Sequence, residues 1–127
     1  PPGRRKEQAQ GMIRKNPRGD LPRIHASAFV DPTAILCGLV IVEENVFIGP
    51  YAVIRADEMD ADGHIDPIVI GAHSNIQDGV VIHSKSGARV SVGQHTSIAH
   101  RAIVHGPVTP AICDIFCSKI MSGEMPS

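Results

Sequence analysis

Large rings are nearly missing from this sequence: it holds no tryptophan, one tyrosine and three phenylalanines, 3% of the chain. A core wedged by aromatic side chains is thereby excluded, and the apolar content, 43% of 127 residues, must pack mainly as Ile, Val, Leu and Ala. A dominant charge sign is missing too, since 12 Lys and Arg stand against 13 Asp and Glu. That balance leaves no electrostatic footprint for nucleic acid or an anionic membrane, so neither is expected as a partner. The basic residues near the start, Arg4, Arg5, Lys6, Arg14, Lys15 and Arg18, are offset further on and read as a polar tail. The three cysteines, Cys37, Cys113 and Cys117, give neither a disulfide framework nor a paired-cysteine metal signature. A reducing, cytoplasmic setting follows as the expectation. No apolar run approaches the roughly 18 residues of a membrane span, and no signal-peptide core follows the basic start. The length suits one domain with its own core.

What is present is a period of six. Val30, Leu36, Val42, Ile48 and Ile54 fall six apart, with a small or β-branched residue four further on at Ala34, Val40, Val46 and Ala52. Neither an α-helix nor a two-faced strand has that period. A solenoid with three flat faces per coil does, each hexapeptide turning its aliphatic residue inward and its small residue into the corner. The Ile/Val-rich hexapeptide form is the left-handed parallel β-helix, an exception to the usual right-handed crossover. The expected fold class is therefore an all-β solenoid, a left-handed parallel β-helix over residues 22–108.

The period breaks twice. Ile54 to Ile70 is one hexapeptide plus ten residues, which places a loop at Glu58–Pro67; Ile82 to Val92 is one plus four, which places a shorter loop around Ser84–Ala88. With coils starting at Val30, Ile48, Ile76 and Ile98, both loops leave the same corner. Residues 1–21 show no sustained period and are expected as a flexible N-terminal arm, with Met12 read as the natural start and Pro1–Gly11 as an upstream extension. Residues 109–127 read as a short C-terminal α-helix and tail. There Thr109 is the N-cap, Pro110 the first helical residue and Gly123 the stop, with Ile112, Ile115, Phe116 and Ile120 on one face covering the end of the coil stack.

In this register, positions on successive coils stack in columns about 4.8 Å apart. Arg55, His83 and His105 each follow the inward aliphatic residue of the second face. Their separations, 28 and 22, are 18 plus the long loop and 18 plus the short one. Two imidazoles one coil apart can converge on one zinc ion at about 2.0–2.1 Å. His100 lies on the first face and around a corner, so it must come from another chain. A face-one to face-two contact is heterologous and closes naturally by three-fold rotation. The expectation is a homotrimer with interfacial sites, each built from His83 and His105 of one chain and His100 of another, three neutral nitrogens with one open position. Gln77, with Asn75 nearby, would arrive with His100. Arg55 and Asp57 can orient the coordination sphere or bridge subunits. His73 and His95 are expected to stack on each other in solvent as plain surface residues, not as a second metal site. His64 falls in the longer loop, and His25 precedes the first coil.

The runs RADE (Arg55–Glu58), SNIQDGVVIH (Ser74–His83) and SIAHRAIVHGP (Ser97–Pro107) resemble the γ-class carbonic anhydrases and their hexapeptide-repeat relatives, over roughly Ile24–Pro107. The resemblance implies a trimer holding Zn2+, or Fe2+ or Co2+, on His83, His105 and a neighbour's His100. It also implies Gln77 placing the metal-activated water, Arg55 and Asp57 paired near the interface, and carbon dioxide and bicarbonate as substrates. Two features depart from the family pattern. The loop after His83 reads SKSGA, without the acidic residues implied in proton transfer, so slow proton export or another route is expected. After His105 the chain turns to TPAICDIFCSKIM where the family continues with further coils and a longer helix, and a weaker trimer is expected. The solenoid also hosts acyltransferases, so the alternatives are an acyltransferase or thioester-processing enzyme, or a catalytically weak assembly subunit.

Overall fold

The computed structural model of the chain describes residues 10–84 and 89–105. In chain order the strands are β1 (Gln10–Arg14), β2 (Arg23–Ile24), β3 (Phe29–Gly38), β4 (Val40–Val42), β5 (Phe47–Ile48), β6 (Val53–Ala56), β7 (Ile68–Ile70), β8 (Asn75–Ile76), β9 (Val81–His83), β10 (Val90–Val92), β11 (Ser97–Ile98) and β12 (Ile103–Val104). Every pairing is parallel and joins one coil to the next. The start of β3 with β5, β8 and β11 forms face one, and the end of β3 with β6, β9 and β12 forms face two. Face three is β2, β4, β7 and β10. The fold is a left-handed parallel β-helix, and among the described residues it is all-β.

The six-residue period is what fills its centre. Pairing aligns Val30, Ile48, Ile76 and Ile98 on face one, and Leu36, Ile54, Ile82 and Val104 on face two. Ile24, Val42, Ile70 and Val92 align on face three. Apart from the partly buried Ile24, all of these are buried. Each such side chain contributes about 1.5–3 kcal/mol of transfer free energy, so stacked aliphatics hold the solenoid without aromatic help. The small residues Ala34, Ala52, Val80 and Ala102 are fully buried at one corner, where the backbone turns too tightly for a longer side chain.

Two corners turn through left-handed backbone, at Asn45, His73 and His95 on one and Tyr51, Gly79 and Arg101 on the other. On the upper coils these residues donate their N–H groups to carbonyls of the coil below, as in His95 to Ala72 and Arg101 to Asp78. On the lowest coil hydroxyls take the carbonyl's place: Asn45 N–H donates to Ser27 Oγ and Tyr51 N–H to Thr33 Oγ1, both at 2.9 Å. The third corner carries both long connections, between β6 and β7 and between β9 and β10, as the interrupted period predicts.

The expected N-terminal arm is corrected from residue 10 onward. β1 pairs in parallel with β3 across Met12, Ile13 and Arg14, adding a strand to the first edge of face two. Asn16 then locks the turn that follows: its amide donates to the Ala56 carbonyl at 2.9 Å and to Asp20 Oδ2 at 3.1 Å, while its Oδ1 accepts from the N–H groups of Arg18 and Asp20. Backbone pairing and one buried amide do this, so no hydrophobic period announces it. The expected C-terminal helix over 109–127 lies outside the described residues.

Candidate metal centre

Alternation along face two sets the candidate ligands on its outer surface. Leu36, Ile54 and Ile82 point inward, so Cys37, Arg55 and His83 face the other way in one column, and His105 continues it beyond Val104. A second outward column beside it, Ile35, Val53, Val81 and Ile103, is entirely aliphatic.

The two histidines of the column are held differently. His105 Nδ1 lies 3.2 Å from the His83 carbonyl oxygen. A carbonyl can only accept, so Nδ1 carries the proton and Nε2 keeps its lone pair, which is the tautomer a metal ligand needs. The rings meet edge to face, centroids 6.0 Å apart at 64°. His83, with its side chain 19% exposed, places Nε2 3.2 Å from Asp57 Oδ1, 3.4 Å from Arg55 Nη2 and 3.8 Å from Glu58 Oε1. It cannot serve both near neighbours at once. Protonated, Nε2 donates to Asp57; bare, it accepts from Arg55, and only the bare state can bind a cation. Arg55 Nε also pairs with Asp57 Oδ2 at 3.1 Å, a half-exposed contact that orders the carboxylate more than it stabilises the fold.

Two residues here went unnoticed at the level of sequence. Cys37 sits at the foot of the column, 18 residues before Arg55, a spacing that marks the place once β3 is known to span a corner. Its Sγ donates to the Lys15 carbonyl at 3.5 Å. Burial pushes the thiol up from its ordinary range, and the Asp57 charge and hydrogen bond add to the rise against the opposing guanidiniums of Arg55 and Arg14. Glu58, read only as the start of a loop, is the second carboxylate against His83.

The other expected residues gather elsewhere. Asn75 and Gln77 lie on face one, where the Gln77 amide donates to Asn75 Oδ1. Because Ile76 aligns with Ile98, the residue beneath His100 is Asp78, and Gln77 stands one position aside under Ala99. His100 is 64% exposed, its Nδ1 3.9 Å from Asp78 Oδ1. With Tyr51, Gly79 and Arg101 these two line a groove of about 680 Å3 at the corner between faces one and two. Phe29 and Phe47 stack on the outside of face one, centroids 5.4 Å apart, and both are exposed.

The expected set therefore falls into two groups on one chain: Arg55, Asp57, His83 and His105, and Asn75, Gln77 and His100. Among the described residues no three His, Cys, Asp or Glu side chains are gathered to hold a metal. The first group offers imidazole nitrogens suited to a borderline divalent cation: His105 turns Nδ1 to a carbonyl, while Asp57 and Arg55 both approach His83 Nε2 and would give way to a cation bound there. Among the described residues there is no helix long and apolar enough to cross a membrane.

No protein-family model matches the sequence. Over 90 residues the chain is 40% identical to the carnitine operon protein CaiE of Shigella dysenteriae serotype 1 (strain Sd197), covering 71% of this chain and 42% of that protein. The same figures hold for the carnitine operon protein CaiE of Escherichia coli O157:H7. The chain thus spans about two-fifths of the length of the curated relatives it matches. With hexapeptide coils in register, a histidine column on face two and this similarity, the chain belongs to the γ-class carbonic anhydrase-like family of hexapeptide-repeat proteins.

Proposed function

We propose that three copies of this chain close into a ring, face two of each against face one of the next, and catalyse the reversible hydration of carbon dioxide to bicarbonate. The observation that carries the reading is the division of the candidate residues into two groups that are complementary in kind: two imidazoles and an ion pair on face two, one imidazole and two amides on face one. Apolar columns flank both groups, Ile35, Val53, Val81 and Ile103 on one face and Phe29 and Phe47 on the other, where subunit burial would cover them.

His83, His105 and His100 of the partner subunit would hold Zn2+, with Fe2+ or Co2+ as alternatives. When bound, the cation supplies the Lewis acidity that makes water nucleophilic near neutral pH. The remaining work belongs to the chain. The His83 carbonyl keeps His105 in its ligand tautomer. A cation on His83 Nε2 would displace Asp57 and Arg55, which remain paired with each other through Arg55 Nε and Asp57 Oδ2 at 3.1 Å. Gln77, its amide N–H given to Asn75, keeps Oε1 to accept a hydrogen bond from a water and so orient it. Adding water to carbon dioxide releases one proton per bicarbonate, and Asp57 and Glu58 are the carboxylates beside the ligand that can receive it. The loop after His83 offers no acid, so turnover is expected to be slow.

A second reading is an acyltransferase or thioester-processing enzyme, or a catalytically weak assembly subunit, since the relatives' name, carnitine operon protein, does not itself point to hydration. In either reading a cytoplasmic homotrimer acting on a small molecule is proposed. Stopped-flow hydration of carbon dioxide by Zn2+-replete protein, beside His83→Ala, separates the two. Activity lost in the variant supports hydration; a fully loaded protein without activity sinks it.

A further inference from the structure

Asn16 is polar yet only 6% exposed, and it reaches the strand end from which Asp57 and Glu58 leave. Its side-chain amide has two protons and two lone pairs, and all four are used. The protons go to the Ala56 carbonyl at 2.9 Å and to Asp20 Oδ2 at 3.1 Å; the lone pairs take the N–H groups of Arg18 and Asp20, both at 3.0 Å. Room for the first bond exists because Gly38, at φ +82°, has no Cβ: one added there would stand 2.8 Å from Asn16 Nδ2 and 2.1 Å from the Ala56 oxygen. Two further contacts tie the same turn to its surroundings. Cys37 Sγ donates to the Lys15 carbonyl at 3.5 Å, and Arg18 Nη1 donates to the Gly63 carbonyl, within the connection between β6 and β7, at 2.9 Å.

What the Asn16 amide holds is the last peptide of β6. Arg55 is laddered to Cys37 on one side and His83 on the other, Ala56 is laddered to Gly38, and Asp57 lies past the end of the strand. The plane of the Ala56–Asp57 peptide therefore sets the direction in which the Asp57 and Glu58 side chains start out. Their approaches to His83 Nε2, 3.2 Å from Asp57 and 3.8 Å from Glu58, lie at and beyond the outer limit of a hydrogen bond, so a small swing of that peptide decides them. We propose that Asn16 is a positioning residue: by holding the Ala56 carbonyl it fixes the Asp57 and Glu58 carboxylates beside the His83 ring, where the proton of hydration is released. Its purpose rests on the hydration reading; the placement itself rests on the hydrogen bonds alone.

Asn16→Asp combined with Asp20→Asn separates placement from folding. The exchanged pair keeps acceptors for the two N–H groups of the turn and a side-chain bond between the two positions, but leaves the Ala56 carbonyl without its donor. Asp20→Asn alone leaves that donor in place and is the control; Asn16→Ser, which retains an acceptor for the turn and loses the reach to Ala56, is a second variant. In NMR spectra of the cation-free full chain at one fixed pH, the His83 ring signals should move in the exchanged pair and in Asn16→Ser, in the direction that Asp57→Asn with Glu58→Gln moves them. Those of His73 and His95, on a different corner, should stay, and Asp20→Asn should move none of the three. In Zn2+-replete protein kcat, which includes proton export, should fall about tenfold and recover in concentrated imidazole buffer, with kcat/KM for carbon dioxide changed less than about twofold. Unmoved His83 signals in both Asn16 variants, or equal shifts at His73 and His95, overturn the proposal. If the wild-type Zn2+-replete chain hydrates no carbon dioxide, the hydration reading fails, and the His83 spectra still decide the placement.

Discussion

His83 with His105, and His73 with His95, are two histidine pairs with the same 22-residue spacing, each rising by one coil, yet their surroundings differ at every point. On face two a backbone carbonyl fixes one ring's tautomer, an aspartate and an arginine compete for the other's Nε2, and the His83 side chain is only 19% exposed. At the opposite corner the rings lean on each other, one carboxylate stands 3.8 Å off, and the His73 side chain is 42% exposed. Spacing alone makes a ladder. The supporting groups are what set the two ladders apart. The braced pair has a carbonyl, a carboxylate and a guanidinium about it, whereas the exposed pair has the other ring and one carboxylate at 3.8 Å.

The largest blow to this contrast is His105→Ala, which removes the proposed ligand whose Nδ1 meets the His83 carbonyl. Hydration should fall to the uncatalysed background, a loss of at least about a hundredfold, measured by stopped flow. Retained activity would mean that the bracing serves something else. Next comes Asp57→Asn, which leaves both histidines but weakens the group that orients His83. Cation affinity on the trimer should drop about 10–100-fold, and an unchanged affinity would place Asp57 in a purely structural role. Gly38→Ala attacks the foot of the same column. At φ +82° an added Cβ would meet the Ala56 carbonyl oxygen at 2.1 Å and the Asn16 amide at 2.8 Å. Strain of about 1–3 kcal/mol should appear as a lower urea midpoint.

The smallest effect concerns Cys37. Its thiol is raised above the ordinary 9.0 by burial first and Asp57 second, so the folded chain favours the neutral form. The stability this contributes is complete below pH 9.0 and fades as pH rises through the raised value. At pH 8 to 9 folded protein should alkylate more slowly than urea-unfolded protein, and Asp57→Asn should narrow the gap. Equal rates in folded and unfolded chains would remove Cys37 from the braced column.

Much of this architecture is legible in residue order because one period governs it. The aliphatic residue of each hexapeptide has only the centre to occupy, so the coils, the two loops at one corner and the pairing of Arg55 with His83 all follow from counting. Counting fails where other forces act. β1 joins the sheet through main-chain pairing and Asn16 through a buried amide, neither of which has a period. Which proton sits on His105, or that Asp57 and Arg55 contend for His83, depends on distances of a few tenths of an ångström that no spacing rule carries.

The most direct test of the shared interfacial centre is the cation content of the oligomer. Sedimentation with elemental analysis of the same fractions should find a trimer in the wild-type chain, and one equivalent of cation per chain fewer when His100→Ala removes the ligand proposed to cross the interface. A chain that sediments only as monomer, or a His100→Ala trimer holding as much cation as the wild type, would contradict it.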